Sequence, residues 1–175
     1  ATGPAFTVEG ADLTFVKTDG YSSERKIVQG AEDVSLAKFT VKALNDKVKI
    51  NTLTLAATSI HDIAYNDLTG LKLFIGDTQI GNTVNLNSSN VATFSSLNLE
   101  LAKDEVKVIE LRANIGSSAA EYYTENGSVY VKLEASLVAR DSQNKLVENN
   151  DTYIATSQLQ VVGSGTLDVN ALTEP

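Results

Sequence analysis

The chain has no cysteine, no methionine and no tryptophan, only two prolines, and one histidine, His61. Without cysteine there is no disulfide framework, no thiol nucleophile and no thiolate metal site. One histidine is too few for a zinc site built on imidazoles. A Ser-His-Asp triad would have to use His61, yet the adjacent Asp62 is badly placed to orient its ring, and no Gly-x-Ser-x-Gly elbow occurs. His61 therefore reads as a loop residue. Aromatic residues make up only 6% of the chain, which speaks against the stacking platforms that accompany paired carboxylates in glycan-cleaving clefts. No apolar run reaches the roughly 18 residues of a membrane span. The glycines at Gly76 to Gly81 and at Gly163-Ser164-Gly165 are not followed by Lys-Ser/Thr, so neither stretch is a phosphate loop. No EF-hand pattern occurs. Calcium shared by Asp141, Glu148 and Asp151 would require that loop to fold together, and a solvated loop is the preferred reading. Taken together, these absences predict a protein that is not an enzyme and has no cofactor, with calcium as the single ion left open.

The net charge of −8 disfavours nucleic acid, whose phosphates call for clustered Lys and Arg. At 175 residues with 42% apolar content, the chain suits one domain with its own core. It begins Ala1-Thr2-Gly3-Pro4 and lacks methionine throughout, which reads as a processed or recut chain; the small residues suit a terminus left by a signal peptidase, and simple methionine removal also fits. The expected location is extracellular or at the cell surface, after export with a cleaved signal peptide.

The clearest pattern runs from Leu71 to Leu101. Leu71, Leu73 and Ile75 alternate with Lys72 and Phe74. Gly76-Asp77 then predicts a type II′ hairpin, because glycine at the first central position takes positive φ without steric cost. Gly81-Asn82 reads as a further break. Val84 and Leu86, Val91 and Phe94, then Leu97, Leu99 and Leu101 mark more short strands, and together the stretch reads as a β-meander.

The flanking chain has the same character. Phe39, Val41 and Ala43 alternate with Lys38, Thr40 and Lys42. In Val48 to Ala57 the apolar parity shifts from Val48/Ile50 to Leu53/Leu55, predicting a bulge near Asn51-Thr52. Val106 to Ala113 reads as a central strand, and Ser128 to Ala139 as a long one preceded by an Asn126-Gly127 turn. Ser117 to Tyr123 is the one plausible helix. About ten short strands with few prolines predict an all-β, antiparallel β-sandwich of Ig-like or jelly-roll-like form, with one short helix at most and a closed barrel as the alternative. The expected core includes Phe39, Val41, Leu53, Leu55, Leu73, Ile75, Phe94, Leu99, Ile109, Leu111, Val131 and Leu133.

Two features bear on function. Residues 1–11 form an N-terminal strand arm carrying Phe6 and Val8, ahead of a single sandwich domain at 12–175. Asn87, Asn126 and Asn150 each open an Asn-x-Ser/Thr acceptor in an expected loop, so each is a candidate glycosylation site. There is also an echo between Val8 to Phe15 and Val162 to Val169: a valine, a glycine-containing break, then Leu-x-Phe/Val. It is either chance or a sign that the two ends are equivalent strands.

Several segments carry a family resemblance. They are Gly30-Ala31-Glu32-Asp33-Val34 through Lys38 to Ala43, Val48 to Leu55, Leu71 to Gly81, Thr93-Phe94 to Leu99, Val108 to Ile115 and Gly165-Thr166-Leu167. In these the chain resembles a recurring β-sandwich module of microbial cell-surface and surface-layer-type proteins of small uncultivated bacteria and archaea. In long proteins of that kind a Gly-Thr-Leu-x-Val strand passes from one module to the next. Less specifically, the chain is similar to single-domain subunits of extracellular threads and tubes joined by donor strands. The resemblance implies a fold and a surface location, and no catalytic residues. The function expected from it is a secreted subunit that self-assembles head to tail into a filament, tube or surface layer. Phe6 and Val8 would enter an open groove between the sheets of the next copy. The alternative is a monomeric binding or adhesion module for a glycan or host surface.

Overall fold

A computed structural model of the chain describes residues 9–18, 25–58, 66–117, 129–147 and 153–162. Among these residues there are twelve strands and no helix. They are β1 (Asp12–Lys17), β2 (Arg25–Val28), β3 (Val34–Leu44), β4 (Val48–Thr58), β5 (Leu68–Ile75), β6 (Thr78–Val84), β7 (Val91–Phe94), β8 (Leu99–Leu101), β9 (Val106–Ile115), β10 (Val129–Asp141), β11 (Leu146–Val147) and β12 (Tyr153–Val162). They form the two sheets of a β-sandwich. One has the order β1-β3-β9-β5-β6. The other has the order β2-β12-β10-β4-β7, with β11 beside β10 and β8 beside β4. Every described pair is antiparallel except β2–β12, which is parallel.

Period-two alternation places one side of each strand between the sheets. Phe39, Val41, Leu53, Leu55, Leu73, Phe94, Leu99, Ile109 and Leu111 are buried as expected. Ile75 is only partly buried because it ends β5 next to the hairpin turn. The side chains of Val131 and Leu133 lie outside the described residues, as do Ser118 to Tyr123 of the expected helix and the Asn126-Gly127 turn. Leu36 and Ala37 are both buried although adjacent. The β3–β9 register slips between Ser35 and Ala37, and this bulge turns two successive side chains inward.

The bulge expected in β4 falls at Asn51. Val138 faces Thr52 and Ala139 faces Ile50, leaving Asn51 as the extra residue. Its carbonyl accepts a hydrogen bond from Leu97 N–H at 2.9 Å. The bulge lets β4 divide its outer edge between β8, along Val48–Ile50, and β7, along Leu53–Ala56. The hairpin at Gly76-Asp77 also forms: Ile75 faces Thr78 and Gly76 has φ +59°.

Two expectations are corrected. The stretch from Leu71 to Leu101 is not a meander. β5 and β6 pair with each other in one sheet, while β7 and β8 pair with β4 in the other. Leu86 and Leu97 are buried in the connections between the strands, and Ser96 and Asn98 take positive φ between β7 and β8. Local alternation looks the same whichever sheet a strand joins, so the crossing left no trace in the pattern. The second correction concerns Gly81-Asn82, where β6 does not end. Leu71 faces Val84 and Leu73 faces Ile80, so the extra residues of β6 form a bulge with Gly81 at φ +68°.

Candidate interaction surfaces

The residues that carried the functional expectations are divided by the structure. Phe6, Val8, Asn126, Asn150, His61, Glu148 and Asp151 lie outside the described residues. Asn87 is exposed in the tight turn before β7. Its Oδ1 accepts the Ser89 and Val91 N–H groups at 2.9 and 3.0 Å, and its amide nitrogen bonds to no described residue. Asp141 Oδ1 accepts the N–H groups of Gln143 and Lys145 at 2.9 and 2.8 Å, so that oxygen locks a turn. Among the described residues no three His, Cys, Asp or Glu side chains gather as metal ligands.

Sheet edges are the first surface of interest, because an unpaired edge is a template for another strand. Four edges are described and they differ. β2 has four residues and a parallel neighbour. β7 and β8 are short and interrupted. β6 is bulged at Gly81. β1 runs in unbroken register with β3, from Asp12 opposite Leu44 to Lys17 opposite Phe39, and among the described residues it pairs with nothing else.

The backbone of β1 alternates in direction. Thr18 N–H donates to Lys38 C=O at 3.1 Å, which makes the even-numbered residues of β1 the ones bonded toward β3. Leu13, Phe15 and Lys17 therefore direct their N–H and C=O groups to the free side. The Leu13 N–H already donates to the side chain of Asp12, at 2.8 Å from Oδ1.

The outer face of the β1-β3-β9-β5-β6 sheet has two halves. Toward the ends of β3 and β9 near residues 35 and 112 lies an ionic network. Asp33 accepts from Lys72 at 2.9 Å and Arg112 at 3.2 Å, Glu110 accepts from Arg112 at 2.9 Å, and Lys38 stands 3.7 Å from Glu110. The Arg112 guanidinium lies 4.3 Å from the centroid of the Phe74 ring. The hydrogen bond from Lys72 above all lowers the Asp33 carboxyl; burial opposes it, but the Arg112 hydrogen bond and the charges of Lys72 and Arg112 add to the lowering, and the net shift is downward. At Glu110 burial works to raise the carboxyl, but hydrogen bonds from Arg112 and Ser35 and the charges of Lys38 and Arg112 outweigh it, and the net shift is downward. In the other half the charged strand residues are Lys42 and, at the start of β1, Asp12. Val16 and Val108 flank Thr40 in one row, and Thr14, Lys42 and Val106 make the next. Val16, Val106 and Val108 are 59%, 53% and 42% exposed.

A third surface lies at one pole, where the turns after β3, β8 and β10 meet. A cleft of about 740 Å³ there is lined by residues that include Asp46, Lys47, Glu100, Lys103, Asp141 and Ser142. Its walls are held by carboxylates. Asp46 accepts from Ser142 N–H at 3.2 Å, from the Ser142 hydroxyl in a short hydrogen bond, and from Lys47 N–H at 2.7 Å. The Ser142 bond above all keeps the Asp46 carboxyl below its usual range. Glu105 accepts from Ala102 N–H at 2.7 Å, which lowers it likewise. Lys103 makes no ion pair with a described residue. The chain enters at this same pole, where Gly10 C=O accepts from Asn45 Nδ2 at 3.1 Å.

No protein-family model matches the chain, and no curated protein matches it. Among solved structures it is similar to a family 123 glycoside hydrolase from Clostridium perfringens, described for glycolipid glycan hydrolysis. That match has 14% identity over 89% of this chain and 28% of the other, with a TM-score of 0.43. It is similar also to CaCohA2 from Clostridium acetobutylicum (12% identity, 87% and 91% covered, TM-score 0.37). A third is the cohesin module of a family 33 glycoside hydrolase from Clostridium perfringens (12% identity, 87% and 98% covered, TM-score 0.34). At these scores none of the likenesses bears on function.

The sequence pattern singled out Asn87 and the wet face of β3, but not the Asp12 cap, the Asp46–Ser142 lock or the Asp33–Lys72–Arg112 bridge. Asp-Leu at the start of a strand was a visible hint for the first. The other two join residues far apart in the chain, whose proximity depends on strand register.

Proposed function

We propose that the chain is a secreted structural subunit of the cell surface that self-assembles head to tail, by strand addition, into an extracellular filament, tube or layer. It works without catalysis, and its partners are further copies of itself. The observation that carries this reading is the β1 edge, which is regular, unbulged and paired on one side alone among the described residues. Main-chain hydrogen bonds at such an edge give affinity, and alternate side chains give register. A strand passed from each copy to the next makes a heterologous contact, which repeats into an open polymer unless its rotation closes a ring. The donor is the N-terminal segment with Phe6 and Val8; the strand type at Thr166 to Val169 is the second candidate. Glycans at Asn87, Asn126 or Asn150 would suit an extracellular setting, and the Asn87 amide nitrogen, which bonds to no described residue, supports that site.

A second reading, a monomeric surface binding or adhesion module, is favoured by the cleft at the turn pole. Electron microscopy of the purified chain, with and without calcium, separates the two. Long ordered polymers are expected, and a monodisperse monomer favours the second reading. Removing Ala1 to Glu9 is expected to leave a folded monomer, and normal polymers from that truncated chain would overturn the donor assignment.

A further inference from the structure

Resting on the strand-addition reading, we infer that β1 is the acceptor edge for the N-terminal segment of a second copy, and that Phe6 and Val8 of the incoming strand lie on the outer face beside Val16 rather than in a groove between the sheets. The burial of β1 decides the face. Its inner residues Leu13 and Phe15 are 1% and 7% exposed, so the inner row offers no open groove. Its outer residue Val16 is 59% exposed, in line across the sheet with Thr40 and the half-exposed Val108. Phe6 and Val8 share a face of any extended strand. On the outer side they would continue this apolar row and cover Val16.

Two hydrogen bonds argue for a strand from another copy rather than the chain's own arm folding back. A tight hairpin between residues 6–8 and β1 would close through the β1 residue nearest the turn. Among the edge-facing residues that is Leu13, whose N–H is already taken by the Asp12 carboxylate. The chain just before β1 is also drawn the other way, since Gly10 C=O is held by Asn45, which follows the end of β3, the neighbour on the opposite side of β1. The edge left open begins at Phe15. A strand arriving from outside can pair there without a closing turn, and the Asp12 cap limits how far it slides.

The test is complementation between two defective chains. Val16→Glu places a charge where the incoming Phe6 and Val8 would lie but keeps the donor segment. Deletion of residues 1–9 removes the donor but keeps the edge. At an exposed position Val16→Glu should melt within about 2 °C of wild type. Each variant alone is expected to be monomeric by light scattering, and an equimolar mixture should form a 1:1 heterodimer, with the donor of the Val16→Glu chain on the β1 edge of the truncated one. Val16→Lys, the residue type that natural edges use against pairing, should behave as Val16→Glu does. Wild-type polymerisation by both Val16 variants while the truncated chain stays monomeric, or a mixture that stays monomeric, would overturn the β1 assignment and leave the donor-arm reading standing. Polymers from the truncated chain, or a monomeric wild type, would overturn that reading and this inference with it.

Discussion

The two edges of the five-stranded sheet, β1 and β6, share one core and one twist but are finished differently. β6 carries a bulge with Gly81 at positive φ, and five of its seven residues are glycine, glutamine, asparagine or threonine at exposed positions. Gln79 turns its amide back on Gly81 C=O and the Thr83 hydroxyl, at 3.4 and 3.3 Å. These are the means by which natural sheets discourage pairing. β1 has a straight register, an exposed valine and a single cap at its first edge-facing N–H. An edge left regular in a fold that blunts its opposite edge marks where pairing can be accommodated.

The largest effect tests whether both edges hang on the same core. Phe39 is fully buried in β3 with its ring 6.2 Å from that of Phe15. Phe39→Ala is expected to cost about 3–5 kcal/mol in denaturant unfolding. Hydrogen exchange should then rise along β1 and β6 together; a loss confined to β1 would make the edges separate units.

Next in size is the β6 bulge. A Cβ at Gly81 would meet Leu97 Cδ2 at 2.6 Å, and φ there is +68°. The leucine tip can move, so the cost of Gly81→Ala lies mainly in the backbone, about 1–2 kcal/mol. Equal stability would show that the bulge does not hold β6 in its blunted form.

Asp12→Ala addresses the opposite edge. Loss of the bond to Leu13 N–H should destabilise the monomer by about 0.5–1.5 kcal/mol. It also lengthens the open edge, so self-association should strengthen in sedimentation. Unchanged association would mean that the cap does not restrict the edge.

The smallest effect is on the ionic half of the outer face. Asp33 and Glu110 sit below their usual range in the folded chain, so their contribution is present above about pH 4 and is lost as pH falls through their folded values. Asp33 is largely solvated, so its share is a few tenths of a kcal/mol. Asp33→Asn should flatten the acid limb of a melting-temperature profile slightly at low salt, and 0.5 M salt should erase the difference; a full-sized effect at high salt would contradict a screened surface network.

Much of the fold was legible because period-two alternation reports burial directly. The alternation in β3, β5 and β9 identified core residues, and the parity shift around Asn51 located a bulge that register confirms. What alternation does not carry is the partner. The same Leu-x-Leu that placed β8 on a strand left open whether it joined β6 or β4, and the stretch read as a meander is split between sheets. The candidate surfaces were less legible still. Asn87 stood out by its acceptor motif, while the ionic network spans residues 33 to 112 and the Asp46–Ser142 lock spans 96 positions.

By itself, the sequence determined the all-β class, the positions of most strands, the Gly76-Asp77 hairpin and the lack of a catalytic constellation built on cysteine or several histidines. Each of these follows from residue types and spacings that act over a few positions. The tertiary structure alone decided which sheet each strand joins, that β2 and β12 run parallel, and that β1 is the regular edge while β6 is blunted. It also decided that Leu13 and Phe15 face a closed interior while Val16 faces outward. Those outcomes depend on which distant strands share hydrogen bonds. Sheet pairing is set by the fit of whole faces across the core, and no local pattern encodes it.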